Sequence, residues 1–443
     1  MKHRPSAVVV RIFCRVAEAV RLSPATAGEI LTNFATRQVS LFGMALAVAL
    51  PAAVAQVDWL PPDLPAPAAE GPTLCVRAYL TPEQGDAVLQ AAAKQFDTRA
   101  TWAAYGETVR RKIQEGAGLA PWPKRTPLNA MVSEPRAHDG YTVQNVMFEP
   151  LPGVYACGNL YWPLRAPKRA PAVLTTHGHT AGVNAPADWA RHGRFHESVQ
   201  RRAATLARMG AVVLSIDMFG YGDSLVQFGA SAHRRPFSLT MQLWTNLRAF
   251  EFLASLRGVD KERIAVTGES GGGTQAFLLA AMEPRVAVSV PVVMVSSYFF
   301  GGCPCESGLP IHRSAEHFVS NAMIAALAAP RPMLVVSDGG DWTQATPQSE
   351  FPFLQHVYRL YDAENKVANV HLATEGHDYG PSKRAAMYRF LAAQFGLKED
   401  FDESHVAIES PDALRVFKSA DELPATALRN VEAAEAALRE LQR

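Results

Sequence analysis

The chain has no excess of charge of either sign, and that shortage excludes the first class of partner. Its 443 residues carry 43 Lys and Arg against 42 Asp and Glu, a formal net charge of +1. A protein that neutralises nucleic-acid phosphates needs a basic surplus, so no nucleic-acid partner is expected. Long blocks of like charge are missing too, which leaves no tail of one charge sign. No internal repeat is visible, so a solenoid or propeller is not expected. The apolar run at 41–50 is too short and too Ala-rich to span a bilayer comfortably, since about 20 apolar residues are needed. Cysteine is scarce, at five residues: Cys14, Cys75, Cys157, Cys303 and Cys305. Cys14 falls in the leader described below, and the other four could pair in an oxidising compartment. Cys303-Pro304-Cys305 is too tight for an easy disulfide and has no second pair of metal ligands beside it in sequence. Free or unusually paired thiols are therefore expected there, with zinc the minor alternative.

What is present fits one large globular core. The composition is 48% hydrophobic and 19% charged, which suits a single α/β domain of roughly 250–300 residues with appendages. Arg37, the apolar run 41–50, Pro51 and the small residues Ala53 and Ala55 have the layout of an export signal ending before Gln56. Residues 1–55 are expected to be removed on the way to a secreted or periplasmic location, leaving no stable membrane span. The stretch before the apolar run is long for such a signal, so a start downstream of Met1 is expected.

Residues 56–72 are a Pro/Ala-rich linker. The region 73–127 is helical, with one helix opened by Thr81-Pro82-Glu83 and running to about Phe96, and a second over 101–115. From 128 to 397 the pattern becomes that of an α/β domain. After an early pair of strands at 143–149 and 154–162, short apolar runs at 172–176, 211–216, 264–267, 288–293, 333–337 and 367–372 alternate with helical stretches at 195–209, 239–256 and 348–361. Continuous apolar runs of that length suit strands buried on both faces, and their alternation with helices predicts a mostly parallel central sheet flanked by helices. A charged tail, 398–443, ends in a helix near 428–441.

The strongest local signal is Gly268-Glu269-Ser270-Gly271-Gly272, which matches G-x-S-x-G after a predicted strand and before a helical run at 274–282. A nucleophile on a tight strand-to-helix turn needs small neighbours, and the helix N-terminus aims free N–H groups at the reacting oxygen. Serine is a poor nucleophile until a base takes its proton. In this arrangement the acid and base follow the serine in the order Asp or Glu, then His. His377 sits in Glu375-Gly376-His377-Asp378 just after the last predicted strand, where ligands meet an α/β sheet. After the preceding strand comes Asp338-Gly339-Gly340-Asp341-Trp342, with two competing carboxylates. Asp341 has reach around the turn toward His377, whereas Asp338 suits a turn or capping role.

Two backbone N–H donors are needed for the oxyanion. Gly271 should supply one, and His179 in His177-Gly178-His179-Thr180 the other, with Gly178 or Thr180 as alternatives. His177 and His179 lack a carboxylate or cysteine at ligand spacing, so no metal and no cofactor is expected. The loop 217–224 carries Gly220 and Gly222, either to let backbone pass close to the floor of the site or as a plain turn. Tyr298, Phe299 and Trp342 are candidates for a substrate pocket that stacks on sugar rings.

In their order and spacing, His177-Gly178-His179, the stretch 268–273, Asp341 and His377 resemble the α/β-hydrolase superfamily of serine esterases across residues 128–397. Within it, Gly268-Glu269-Ser270-Gly271-Gly272-Gly273-Thr274-Gln275 and Gly302-Cys303-Pro304-Cys305-Glu306 are similar to the bacterial acetylxylan-esterase and dienelactone-hydrolase-like proteins. The resemblance implies an α/β-hydrolase fold and cleavage of carboxylic esters through a Ser-His-Asp triad and an acyl-enzyme. A carbohydrate ester of acetylxylan type is the first substrate reading, and a dienelactone-like or small-acyl ester the alternative. A peptidase and a non-catalytic binding protein of the same fold follow. There are departures. Phe219-Gly220-Tyr221 stands where acetylxylan and cephalosporin deacetylases carry Arg-Gly-Gln, and Asp378 follows the His where they have Glu. Gly271 stands where glucuronoyl esterases carry Arg, which leaves no dedicated uronate clamp there. The lipase-type His-Gly-Gly-Gly loop is absent.

Overall fold

Leu174 and its neighbour Val173 point to opposite sides of one sheet and into two different cores. That is the period-two alternation of a strand buried on both faces. In the computed structural model, which describes residues 79–180, 191–314 and 317–443, such strands make the centre of the molecule. The leader and linker expected over 1–72, with Cys75, lie outside the described residues. All described residues belong to one compact unit.

In chain order the elements are α1 (Pro82–Gln95), α2 (Arg99–Gly116), β1 (Met131–Val132), β2 (Arg136–His138), β3 (Tyr141–Leu151), β4 (Val154–Pro163), β5 (Ala170–Thr176), α3 (Glu197–Met209), β6 (Val212–Ile216), α4 (Ser224–Phe228), α5 (Phe237–Ser255) and β7 (Val259–Glu269). They continue with α6 (Gly271–Met282), β8 (Val288–Val292), α7 (Pro304–Ser307), α8 (Asn321–Ala326), β9 (Met333–Asp338), α9 (Glu350–Arg359), β10 (Val367–Leu372), α10 (Pro381–Phe395), α11 (Pro411–Leu414) and α12 (Val431–Leu441). The sheet runs β1-β3-β4-β6-β5-β7-β8-β9-β10, with β2 also on β3. From β6 to β10 every pairing is parallel, with Leu174 opposite both Leu214 and Val266. The hairpin β3–β4 joins antiparallel to β6. Ala203, Leu206 and Ala207 of α3 and Met387 and Leu391 of α10 fill one face, whereas α5, α6 and α9 fill the other. Among the described residues no helix is long and apolar enough to cross a membrane.

The fold is the mostly parallel, helix-flanked sheet expected, and the appendages are woven into it. Thr81 and Thr98 each close a capping box at the start of α1 and α2. Val88, Leu89, Trp102 and Ile113 of these helices, and Val431 and Leu438 of α12, share the main core with α5 and α6. Most of the described residues between β8 and α8 are also buried. His312 lies among them, its Nε2 2.7 Å from Asn321 Oδ1. Asn321 Nδ2 donates to Met294 O and Phe299 O, so its Oδ1 is the acceptor and His312 Nε2 carries the proton. Its Nδ1 is buried without a hydrogen-bond partner among the described residues.

Burial pushes the His312 pKa down to about 4 from 6.5. The unfolded chain therefore binds a proton that the folded chain refuses. Stability that is complete above pH 6.5 should fall by about 1.4 kcal/mol per pH unit as pH drops from 6.5 toward 4. Denaturant melts across that window should show the slope in the wild type and a shallower one in His312→Gln. An unchanged slope in the variant would remove His312 from the account.

Candidate active site

Ser270 joins the end of β7 to the start of α6 at φ 56° and ψ −125°. For a residue with a side chain that is a strained conformation, and it turns the hydroxyl out of the sheet. Gly268 permits the turn, because a Cβ there would meet Thr176 Oγ1 at 2.3 Å and Gly272 O at 2.5 Å. Ser270 N donates to Val292 O, and Thr274 N donates to Ser270 O, so both flanks are tied down. The loop after β5 passes directly over the turn. A Cβ on Gly178 would stand 2.8 Å from that of Ser270.

Two carboxylates follow β9, and they have parted company. Asp341 Oδ2 lies 2.6 Å from His377 Nδ1, and its Oδ1 accepts from Thr343 N and Oγ1, both at 2.6 Å. Asp338 turns inward, accepting from Gly340 N and pairing with Lys383 Nζ at 3.2 Å. Lys383 is fully buried and also donates to Gly376 O and Asp378 Oδ1, which fixes the loop that carries His377. Burial works against the Lys383 ammonium, but the hydrogen bond to Asp378 and the charge of Asp338 outweigh it and hold its pKa above the ordinary value. The His377 side chain is 32% exposed while that of Asp341 is 2% exposed, so the ring faces solvent and its partner does not.

Ser270 and His377 line one cavity of about 260 Å³, together with His179, His196, Tyr379 and Arg384. Among the described residues no hydrogen bond joins the serine to the histidine; such bonds often tighten only in the substrate complex. Of the three candidate N–H donors after β5, Gly178 N is spent on Glu269 Oε1 and Thr180 N on Gly178 O. The N–H groups of His179 and Gly271 have no acceptor among the described residues. His177 is structural. Its Nδ1 donates to Gly178 O, its Nε2 accepts from Met218 N, and burial pushes its pKa down to about 3.

The expected aromatic pocket needs correction. Tyr298 and Phe299 are 5% and 3% exposed and do not line the cavity. Phe299 stacks on Trp342 at 3.9 Å between ring centroids, and Trp342 leans on His377 at 4.4 Å. The three aromatics support the site from behind because the segment after β8 runs inward, under α1, where Tyr298 O accepts from Tyr79 N and Leu80 N. No disulfide joins the described cysteines, in keeping with the tight Cys303-Pro304-Cys305 spacing, and Cys157, Cys303 and Cys305 are all buried.

Several residues that hold the site were not singled out from the sequence. Arg202 of α3 pairs with Glu269 at 2.8 Å and donates to Thr175 Oγ1 and Thr176 O, so it fastens the ends of β5 and β7 together. An Arg on the same helical face as Val199, Ala203 and Leu206 was the available signal, since a charge there demands a buried partner. Arg194, wholly buried, pairs with Asp217 at 2.9 Å and Asp223 at 2.6 Å, and donates to Leu414 O. It thereby fixes the 217–224 loop. Burial pushes the Asp217 pKa up to about 7. The glycines of that loop face Asp217 and His233: a Cβ on Gly222 would meet Asp217 Oδ1 at 2.1 Å, and one on Gly220 would meet His233 N at 2.5 Å.

His179 offered no ligand pattern with His177, yet the fold brings it to His233, Cys303 and Cys305. The four ligand atoms all lie within 4.8 Å of one another. This is the one group of three or more such side chains among the described residues with that geometry.

Comparison with known proteins agrees with this architecture. Residues 134–299 match the acetyl xylan esterase (AXE1) family. The structure of methylesterase BT1017 is 39% identical, with 82% of each chain covered and a TM-score of 0.73. This chain belongs to the α/β-hydrolase serine esterases. A glucuronoyl esterase from Solibacter usitatus, 18% identical over 68% of this chain and 94% of its own, shares the fold with a TM-score of 0.50. The esterase is also 26% identical over 176 residues to YtaP of Bacillus subtilis (strain 168), covering 37% of this chain and 58% of that relative's length.

The two acidic neighbours can be separated by substitution. Asp341→Asn should lower turnover of a p-nitrophenyl ester about 10⁴-fold with the fold intact, because the amide cannot hold the same imidazole tautomer. Asp338→Asn should instead lower stability by about 1–3 kcal/mol, because Lys383 loses one of its buried carboxylates. Thermal melts and turnover on both variants check this. A dead, well-folded Asp338 variant beside an active Asp341 variant would exchange the roles.

Proposed function

We propose that this esterase hydrolyses carboxylic esters of carbohydrates, with Ser270 as nucleophile, His377 as general base and Asp341 as its partner. The observation that carries the reading is the shared cavity: a serine at φ 56° opens into the same space as a histidine held by a buried aspartate. Asp341 accepts a hydrogen bond from the Nδ1–H of His377, which leaves Nε2 to accept the Ser270 proton as Oγ attacks the ester carbonyl. The negative charge that develops on the carbonyl oxygen meets the N–H groups of His179 and Gly271, the two left without an acceptor. His377 then passes its proton to the leaving alcohol, and water activated by the same ring releases the acid from Ser270.

For the ester itself, the likeness to a methylesterase over 82% of both chains favours the methyl ester of a sugar acid. The acetylated sugar is the second reading, favoured by the family match over residues 134–299. The two differ in what leaves and what stays. A methyl ester releases methanol and acylates the serine with the sugar acid. An acetyl ester releases the sugar and acylates it with acetate.

Methanol and acetate release from methyl-esterified and acetylated polysaccharides, measured side by side, should give methanol as the faster product. Acetate as the faster product would select the second reading. Ser270→Ala should lower either rate on the order of 10⁶-fold and abolish labelling by a fluorophosphonate probe. A wild type that neither labels nor turns over any ester would make the chain a binding protein of this fold.

We also propose that residues 1–55 direct export, on the strength of Arg37, the apolar run at 41–50 and the Ala53/Ala55 pair. N-terminal sequencing of native material should begin near Gln56. Intact cytoplasmic protein retaining the apolar run would overturn the proposal.

A further inference from the structure

We infer that His179, His233, Cys303 and Cys305 form a four-ligand transition-metal site, for zinc by preference, built against the wall of the active site. The four residues come from three separate segments: the loop after β5, the turn Ala230–Arg234 after α4, and the entry to α7. His179 Nε2 lies 2.9 Å from His233 Nε2 and 3.5 Å from Cys305 Sγ, and all four ligand atoms fall within 4.8 Å. With metal–sulfur bonds of about 2.3 Å and metal–nitrogen bonds of about 2.0–2.1 Å, a tetrahedral site spaces its ligand atoms about 3.3–3.8 Å apart. The cluster needs adjustments of a few tenths of an ångström at the imidazole pair.

The surroundings are those of a metal centre. His233 Nδ1 lies 2.8 Å from Phe219 O, which can only accept, so Nδ1 carries the hydrogen and Nε2 presents its lone pair to the cluster. His179 Nδ1 faces Glu306 Oε1 at 3.8 Å, and Glu306 is itself held by Gly302 N and Cys303 N. A carboxylate behind a ligating imidazole is the usual outer support of such sites. His233 is 0% exposed and both cysteines are 1% exposed, so any charge here must be balanced locally. Among the ligands themselves, two thiolates, two neutral imidazoles and one dication sum to zero, with the Glu306 carboxyl outside that sum. Sulfur and imidazole select zinc or a neighbouring transition metal over magnesium or calcium, and four protein ligands leave no open position for a reacting water. The site is therefore structural.

Its place gives it work to do. A Cβ on Gly271 would meet Glu306 Oε1 at 2.9 Å and His179 Cε1 at 3.2 Å, so the cluster abuts the residue after the nucleophile. A metal would pin the His179 loop to the segments after β6 and β8, and with it the N–H that faces the ester oxygen. That last consequence rests on the esterase reading; the metal site itself does not.

The test uses the full chain carrying Ser270→Ala as well as the wild type, so that metal binding is read apart from catalysis. Both, purified without chelator from zinc-supplied cells, should hold about one zinc per chain by mass spectrometry. Cobalt exchanged into the protein should give the visible bands of a tetrahedral thiolate site. Cys303→Ser with Cys305→Ser, and His233→Gln, should each lose the metal, while Cys157→Ser keeps it. Because those ligand variants could fail to fold, the wild type is also stripped with a chelator. Its melting temperature should fall and be restored by zinc but not by magnesium, and residual kcat should drop more than KM changes. Absence of stoichiometric metal even after zinc addition, metal retained in the double cysteine variant, or a Cys303–Cys305 disulfide in the native protein would each overturn the site. A zinc-loaded chain with no esterase activity would overturn the functional reading and leave the site standing.

Discussion

Ser270 can hold φ 56° and ψ −125° only because the chain on both sides of it is immobile. A residue in that region costs about 1–3 kcal/mol, which the surroundings must offset. Before the turn, β7 is hydrogen-bonded on both edges, to β5 and β8. After it, α6 is apolar nearly all round and buried between the sheet and α5. Neither element can rotate to relieve the turn without exposing its core residues. The strain keeps the hydroxyl above the sheet, where the loops after β5, β9 and β10 can reach it, and it ties the reactivity of one side chain to the packing of the whole parallel sheet.

The loops around that serine are held by buried charge. Arg202 with Glu269, Arg194 with Asp217 and Asp223, and Lys383 with Asp338 each sit where water cannot screen them. Such pairs are weak sources of net stability, because taking both charges out of water costs about as much as their attraction returns. What they supply here is location. Each cation reaches at least two segments that are distant in sequence. Arg202 bridges the ends of β5 and β7, Arg194 draws the 217–224 loop to Leu414 in the tail, and Lys383 joins the turn after β9 to the loop after β10. Apolar side chains could fill the same volume but would not select one arrangement of the loops.

This explains which parts were legible in the sequence. Ser270, His377 and the central strands announce themselves locally, through a motif of five residues and apolar runs of four to six. The choice of Asp341 as neighbour of His377 was within reach because two glycines separate it from Asp338. The edges of elements were harder. β7 begins at Val259, five residues before its apolar run, because Asp260 to Arg263 carry polar side chains out of the core while the backbone still pairs near Ala170. α6 begins at Gly271 because its three glycines, which read as a turn, are the only residues small enough for the space beneath Ser270. Tyr298 and Phe299 were misread because an aromatic side chain suits a sugar platform and a core equally well, and only the path of the chain decides between them. His233 and Cys305 stand 54 and 126 residues from His179. No spacing rule reaches that far, and only the folded sheet brings them together.

The two sides of the serine are built to opposite specifications, and the chemistry accounts for the difference. On one side the proposed mechanism has His377 take a proton from Ser270 and later act on water, and its ring is about one-third exposed, with its position set from behind by Asp341 and Trp342. On the other side the same proposal has the N–H of His179 already pointing at an oxygen whose charge appears only during the reaction, where any reorientation would add to the barrier. There the His179 side chain is 4% exposed and locked among His233, Cys305, Glu306 and Tyr221. The proton-carrying side tolerates water and needs only one well-placed partner. The charge-stabilising side buries its side chains and needs a rigid frame. The density of buried imidazole, thiol and carboxylate around His179, otherwise a costly way to fill a core, follows from that requirement for rigidity beside the nucleophile.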